Sequence, residues 1–415
     1  MKTLFISYNG AMEPLMLSQG IPYLKGLSRK GVSVYLLSFE KKEFWKKYPK
    51  EKIASYREEL KSNGIKWYSL RYHKNPSLPA TLFDIFMGIL LGCYITISKK
   101  IDIIHARTTV SAAMGRMITK LTGKKFIFDE RGLTAEEYVD GGMWKKDSIS
   151  YKLTAYFEKI FLIKADGLIV LSENIKDFLS HSDYLPRNNM NKKQSVMVIP
   201  CCVDVERFNG DKNITKKVKQ EHGLAEKFVF LYAGSLGTWY LLSEMIDFFI
   251  TAKERIKNAH FLIVTHTGKK IADKYCREKG LHESDFTIIE SEFEDVPYYT
   301  KLGDAGMFFI KQVLSKRSSC PTKFAEYLAS SLPVIINSQI GDTDVIVENN
   351  RLGVVIKDLN KDAYMNALNE LMELLKDKDM LVARCHKTVD TMFSLEMGVS
   401  KYFSIYNKVL YGREA

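Results

Sequence analysis

Two short apolar runs, Thr3–Ser7 and Phe228–Tyr232, begin the same local pattern. Each ends in a glycine turn, at Gly10 and at Gly234–Gly237, and then passes through a helical stretch into another buried run. A strand, a tight turn, a helix and a second strand form the unit of a doubly wound α/β sheet. The unit occurs twice, some 225 residues apart in a chain of 415, so two domains are expected, each large enough for its own core. No G-x-G-x-x-G follows the first strand, which argues against a dinucleotide site.

Along the first half, the turn leads into a helix from about Leu15 to Lys30, stopped by Gly31, and then into the strand VSVYLLSF. Lys41–Lys61 reads as a charged, solvated helix. Ile101–His105 and Lys125–Phe128 are strands, and Ser148–Lys164 is a helix. Leu168–Leu171 is a further strand before a helix cap at Ser172. Val203 to about Lys227 is polar and lysine-rich, with no apolar run, and reads as the linker region. The second half repeats the alternation through Leu241–Lys257, Phe261–Thr265, Phe286–Glu290 and Met307–Ile310. Ser394–Tyr411 closes the chain with helical spacing at Tyr402, Ile405, Tyr406 and Leu410.

Charge is unevenly placed. Residues 1–200 hold 32 Lys+Arg against 19 Asp+Glu, and the remainder holds 29 against 30, so the first half carries the whole excess. A basic surface suits phosphorylated substrates or anionic lipid. No RNA-module signature accompanies it, so nucleic acid is not an expected partner. Leu82–Ser98 is apolar, contains Asp84 and runs short of a membrane span, so a buried helix is expected there, with docking on a membrane surface left open. The six cysteines show no metal-ligand spacing, and no signal peptide is evident, so a reduced cytosolic protein is expected.

The stretch Pro321–Ile336 concentrates the chemistry. A helix through Phe324, Ala325, Tyr327 and Leu328 stops at Leu332-Pro333, and Val334–Ile336 is a buried strand. Glu326 is its one acid, with Thr322 and Lys323 a turn earlier on the same side. The preceding loop holds Lys316, Arg317, Ser318 and Ser319. A loop-to-helix junction of this kind gathers free amides and suits an anion. A cation, amides and a carboxylate within one turn could hold a nucleotide diphosphate, the carboxylate taking the ribose hydroxyls. Alternatively, Glu326 is a solvated surface residue.

This stretch resembles the donor-binding helix of glycosyltransferase family 4, the retaining nucleotide-sugar transferases of the GT-B fold. There a Glu, seven residues and a second Glu precede a Gly-x-Pro-Val-Ile strand. Glu326 matches the second Glu, Ser318 replaces the first, and Ser331 replaces the glycine. Met12–Gly31 resembles the family's first helix, and Val196–Asp204 resembles its crossing between domains. The resemblance implies two Rossmann-like doubly wound domains facing a cleft. The first, acceptor-side domain would span 1–203 and take back the final helix at about 395–415. The donor-binding domain would span 204–394.

The resemblance also implies roles. Donor binding falls to Glu326, Lys323, Thr322, Ser318, Ser319 and Arg317, with the glycine loops at Gly234, Ser235, Gly237 and Gly10. Where the family usually carries Gly-Arg-Leu, Ser235 replaces the Arg, and Trp239-Tyr240 stand near a usual Lys. The missing charge could come from Lys316, Arg317 or Lys323, with Lys323 placed first because the helix fixes it. Strand ends in the first domain carry His105, Arg107, Asp129, Glu130 and Arg131, and strand ends face the ligand crevice in such sheets. Many members place a His where Arg131 stands. Asp129, Glu130, His105 and Arg131 are therefore the expected catalytic group near the acceptor hydroxyl. The expected activity is hexosyl transfer with retention from a UDP- or GDP-sugar, with no bound metal. The acceptor would be a glycan or lipid-linked hydroxyl in polysaccharide or glycolipid assembly, reached in the cytoplasm at the inner membrane face. A non-catalytic partner protein and a nucleotide-sugar epimerase are the rival readings.

Overall fold

A computed structural model describes residues 1–185, 194–208 and 212–412. The chain divides into two compact units, Met1–Pro200 with Leu395–Ala415, and Cys201–Ser394. Each is built on one parallel sheet.

The first unit contains β1 (Lys2–Ser7), β2 (Ser33–Glu40), β3 (Ile65–Arg71), β4 (Ile103–Arg107), β5 (Lys125–Asp129), β6 (Gly167–Val170) and β7 (Ser195–Val198). They run in the order β3-β2-β1-β4-β5-β6-β7. Register sets which side chains share a face: Phe5 lies opposite His105, His105 opposite Ile127, and Arg107 opposite Asp129. Side chains alternate across a strand. Ile104, Ala106, Phe126 and Phe128 therefore enter the cores on one face, and His105, Arg107 and Asp129 point to the other. The first face is covered by three helices packed side by side, α1 (Ser77–Lys99), α2 (Thr109–Thr122) and α3 (Ile149–Lys164). The closing helix Leu395–Tyr411 packs on Ile21–Arg29 and against β6 and β7.

The second unit holds β8 (Phe228–Ala233), β9 (Ala259–Thr265), β10 (Phe286–Glu290), β11 (Ala305–Phe308), β12 (Val334–Asn337) and β13 (Gly353–Ile356), ordered β10-β9-β8-β11-β12-β13. Helix α4 (Thr322–Ala329) crosses from β11 to β12. Gly306 on β11 lets α4 approach, since a β-carbon there would stand 2.3 Å from the Tyr327 ring.

Several boundaries differ from the sequence reading. The first helix is two, Pro14–Gln19 and Ile21–Arg29, divided where Gly20 and Pro22 interrupt it. Lys41–Lys61 is likewise split, at Tyr48-Pro49. The expected linker carries a short 3-10 turn, Val205–Phe208, and a helix, Lys212–Glu221, while its residues 209–211 lie outside the described residues. The larger correction concerns Leu82–Ser98. Helix α1 is long, at 23 residues, but only 33% of its most apolar window is buried. The sheet needs one narrow stripe of it, Ala80, Asp84, Gly88, Gly92, Ile95 and Thr96.

Candidate functional site

Helix α4 begins directly after Pro321, whose missing N–H costs nothing at that position. Phe324, Ala325 and Leu328 enter the core of the second unit. Tyr327 ties the helix to the end of β8: its hydroxyl oxygen accepts the Ala233 amide at 2.7 Å. One turn earlier, Lys323 reaches the next residue of that strand end. A β-carbon on Gly234 would lie 2.6 Å from Lys323 Nζ. Gly234 also adopts φ +144, a region open to glycine and closed to most side chains. The loop continues through exposed Ser235 and Gly237, the latter at φ +90.

The Lys323 amino group is enclosed. The residue is 3% exposed and Nζ has no hydrogen-bond partner. Its surroundings are two aromatic faces, Tyr240 with the ring centroid 3.5 Å away and Tyr232 at 4.1 Å. Burial pushes the Lys323 amine well below its ordinary range, against the opposing pull of the Glu326 carboxylate. Burial raises Glu326 itself to about 7, while Lys323 and Arg207 hold it from rising further. Glu326 is half-buried, so it is not the freely solvated residue of the alternative reading. A buried donor without an acceptor is costly. Here it lies beside a glycine loop with one half-buried carboxylate a turn away. That arrangement accepts an anion at Nζ and hydroxyl donors at Glu326.

The remaining donor candidates divide. Thr322 and Ser319 are half-buried near the helix start, and Arg317 is exposed. Ser318 is fully buried, and its hydroxyl donates to the Ser315 carbonyl at 2.9 Å. It therefore holds the 3-10 turn Leu314–Ser318 together and presents no side chain to a ligand, a correction to its expected role. Lys316 lies over the Trp239 ring at 4.1 Å. Gly10, in the first unit, is also corrected as a phosphate contact. Its amide donates to Glu13 Oε1 at 2.7 Å, and a β-carbon there would be 2.5 Å from Glu40 Oε2. Two carboxylates border that turn, which disfavours an anion.

The strand-end group of the first unit forms a sealed network. Asp129 is 0% exposed. Its Oδ2 accepts from Arg107 Nη1 at 3.0 Å and from the Tyr402 hydroxyl at 2.8 Å. Arg131 Nη1 lies 3.6 Å from Oδ1. Burial alone would raise the Asp129 carboxyl, but the Arg131 and Arg107 charges outweigh it and hold it below its ordinary value. His105, also 0% exposed, has Nδ1 hydrogen-bonded to the Tyr406 hydroxyl at 2.7 Å. Burial lowers its pKa, so it is neutral near pH 7.

Glu130 points elsewhere and is also fully buried. Its Oε1 accepts the Gly132 amide at 2.8 Å, and Oε2 has no partner. Burial, with nearby Glu158 and Glu137, raises its pKa well above the ordinary range. Glu158 accepts the Thr134 and Ala135 amides, and burial raises it to about 8. The expectation that His105, Asp129 and Glu130 touch an acceptor is therefore corrected. The closing helix supplies Tyr402 and Tyr406 as their partners, on the face that strand alternation gave to His105 and Asp129. Arg131 is the least enclosed of the four, though its side chain is only 8% exposed.

The sequence reading missed Glu158 and the partner roles of Tyr232, Tyr402 and Tyr406. The last two stand four apart on the closing helix, a spacing visible in the sequence, but their hydroxyl chemistry needed the strand register. Among the described residues, no group of three His, Cys, Asp or Glu side chains is placed to hold a metal.

Comparison with known proteins addresses the same region. Residues 313–380, which include α4, match the family described as Glucosyltransferase 3-like, C-terminal domain. No curated protein matches the chain by sequence. Among solved structures, a glycosyltransferase from Rickettsia africae is similar at TM-score 0.72 and 17% identity, covering 99% of both chains. Anabaena Alr3699/HepE in complex with UDP and glucose aligns at TM-score 0.68 and 13% identity, over 98% of this chain and all of that one. A Listeria monocytogenes protein described as a putative UDP-N-acetylglucosamine 2-epimerase aligns at TM-score 0.59 and 12% identity, over 100% and 97%. With two parallel α/β sheets of seven and six strands, this chain has the GT-B fold.

Proposed function

We propose that the chain is a retaining, hexosyltransferase-type glycosyltransferase of the family 4 kind, moving a sugar from a UDP- or GDP-sugar to a hydroxyl acceptor. The observation that carries this is the enclosed amine of Lys323, without a partner, against Gly234 and one turn before Glu326. In this reading the diphosphate sits at Lys323 and the amides of the Gly234–Gly237 loop. Fixed positive charge there stabilises the diphosphate as its bond to the sugar breaks, and preorganised charge of this kind is commonly the largest catalytic contribution. Glu326 takes the ribose hydroxyls. The match to a glucosyltransferase-like domain over 313–380 supports the donor assignment, as does the UDP complex of a protein with the same fold. The acceptor is a glycan or lipid-linked hydroxyl in polysaccharide or glycolipid assembly, at the cytoplasmic face of the membrane.

Burial of His105, Asp129 and Glu130 favours one rival, a non-catalytic protein that keeps the donor site. The Listeria neighbour keeps the epimerase reading in view. Incubation with UDP- and GDP-sugars separates them. Transfer predicts release of nucleoside diphosphate that depends on an added hydroxyl acceptor, and a product with the donor's anomeric configuration by NMR. Interconversion of donor epimers without any acceptor would establish the epimerase. Donor binding with no chemistry across an acceptor panel would establish the partner protein.

A further inference from the structure

The layer of α1, α2 and α3 leaves an apolar outer face. On α1, Leu82, Phe86, Leu90, Tyr94 and Ile97 recur at four- and three-residue spacing, opposite the stripe that packs on the sheet, and all are exposed, Phe86 by 56% and Ile97 by 70%. Neighbouring α2 adds Leu121, 65% exposed, and α3 adds Leu153, Tyr156 and Phe157. Exposed apolar residues scattered singly need no explanation, but a contiguous face on adjacent helices marks an interaction surface.

Charge selects the occupant. The three helices contain only two acids, Asp84 and Glu158, and both are buried and bonded inward. Asp84 accepts from the Tyr8 hydroxyl at 2.9 Å and pairs with His73 at 2.6 Å. Glu158 caps the amides of Thr134 and Ala135. The outer face of the helices therefore carries no carboxylate, whereas Lys120, Lys152 and Lys164 are exposed on it or at its ends, joined by Lys100 just beyond α1; Lys125, also nearby, is paired with Asp166 at 3.0 Å. Apolar side chains interleaved with lysines and free of acids match the interface of an anionic bilayer, where chains enter the acyl boundary and ammonium groups reach the headgroups.

We propose that this α1–α3 face docks the protein on an anionic lipid bilayer, lying in the interface. Helix α1 does not cross the membrane, because the stripe from Ala80 to Thr96 stays on the sheet and Asp84 stays bonded within the unit. A protein surface would be expected to offer some complementary pairing for its partner's charges, and a second copy of this face would set lysines against lysines. The proposal does not depend on the sugar-transfer reading.

The test is sedimentation of the full chain with vesicles of phosphatidylcholine alone and of phosphatidylcholine with phosphatidylglycerol. The expected result is binding to the anionic vesicles that weakens with salt. The double variant Phe86→Asp/Leu90→Asp should lower the bound fraction by about ten-fold or more. Both positions are exposed, and thermal unfolding checks that the fold survives. Lys120→Glu/Lys164→Glu should weaken binding and flatten its salt dependence. No association with anionic vesicles, or undiminished association of the apolar double variant, overturns the proposal. It is also overturned if light scattering shows a dimer that the same double variant dissociates while vesicles remain unbound, since the face would then join copies of the chain. Nucleotide affinity, set in the other unit by Lys323 and Glu326, reports separately on the donor site.

Discussion

Lys323 Nζ stands 2.6 Å from where a β-carbon of Gly234 would be. The start of α4 and the turn after β8 are therefore fitted to each other through a lysine tip and the absence of a side chain. Gly234→Ala should keep the fold, since the tip of a lysine can move, but should displace the amine and strain a backbone at φ +144. Lys323→Met should separate binding from stability. It removes an enclosed amine without a partner, so the melting temperature should hold or rise. Nucleotide affinity should fall about ten-fold or more, roughly 1.4 kcal/mol. A drop in stability with affinity intact would show that Lys323 is a packing residue.

Nucleotide binding should also take up protons. Burial lowers the Lys323 amine in the empty site, and a bound diphosphate favours its charged form. At pH 8 the Glu326 carboxyl, raised to about 7, is largely ionised, so uptake there reports on Lys323. Calorimetry in two buffers of different ionisation enthalpy, repeated from about pH 8 up to about 10, should show uptake within that range for the intact protein and none for Lys323→Met. Equal enthalpies in both buffers would contradict the assignment.

In the first unit, Arg107→Ala should act on stability. It leaves Asp129 buried with one of its two hydrogen bonds lost, the bond from Tyr402 remaining. Arg131, 3.6 Å from Oδ1, still compensates the charge, so the cost should be about 3 kcal/mol, the low end for a buried pair broken from one side. Tyr402→Phe should cost less, about 1.5–3 kcal/mol for one hydrogen bond to a charged group. Denaturant unfolding measures both. Little effect on stability alongside a large loss of turnover would restore the catalytic reading of Asp129.

Glu158 gives a pH signature. Its folded pKa, about 8, lies above the ordinary carboxyl value of 4.5. Between those values the folded state holds a proton that the unfolded state has lost, so stability is greatest below 4.5 and falls as pH rises through 8. Neutral His105, whose folded pKa is lowered from 6.5, acts in the opposite sense below that value, so the window to use is pH 6.5–8. Glu130 and Glu326, also raised, and Lys323, lowered, add slopes of their own there, so the readout is the difference between proteins: Glu158→Gln should lose a falling component of stability that the intact protein shows across the window. An unchanged slope in the variant would place the proton elsewhere.

Fold was legible because apolar runs, glycine turns and helix stops repeat with the period of parallel α/β units, and hydrophobic periodicity survives without knowledge of contacts. The pairing of Lys323 with Glu326 was legible for the same local reason, three-residue spacing on one helix. His105 and Asp129 were misread because their environment is set by residues almost 300 positions away. Tyr402 and Tyr406 turn a row of polar strand ends into a closed network, and nothing local to Asp129 announces them. Ser318 was misread on a smaller scale, since one hydrogen bond to Ser315 decides that its hydroxyl turns inward. Helix α1 was misread because apolar content cannot distinguish a face that meets the sheet from one that meets the solvent.

The most direct test is calorimetric titration of UDP, GDP and their common sugar conjugates into the intact protein and into Glu326→Ala. The account predicts that one nucleotide class binds the intact protein and that binding is lost in the variant while its melting curve stays cooperative. Binding that survives Glu326→Ala unchanged, or no binding of any nucleotide to the intact protein, would contradict it.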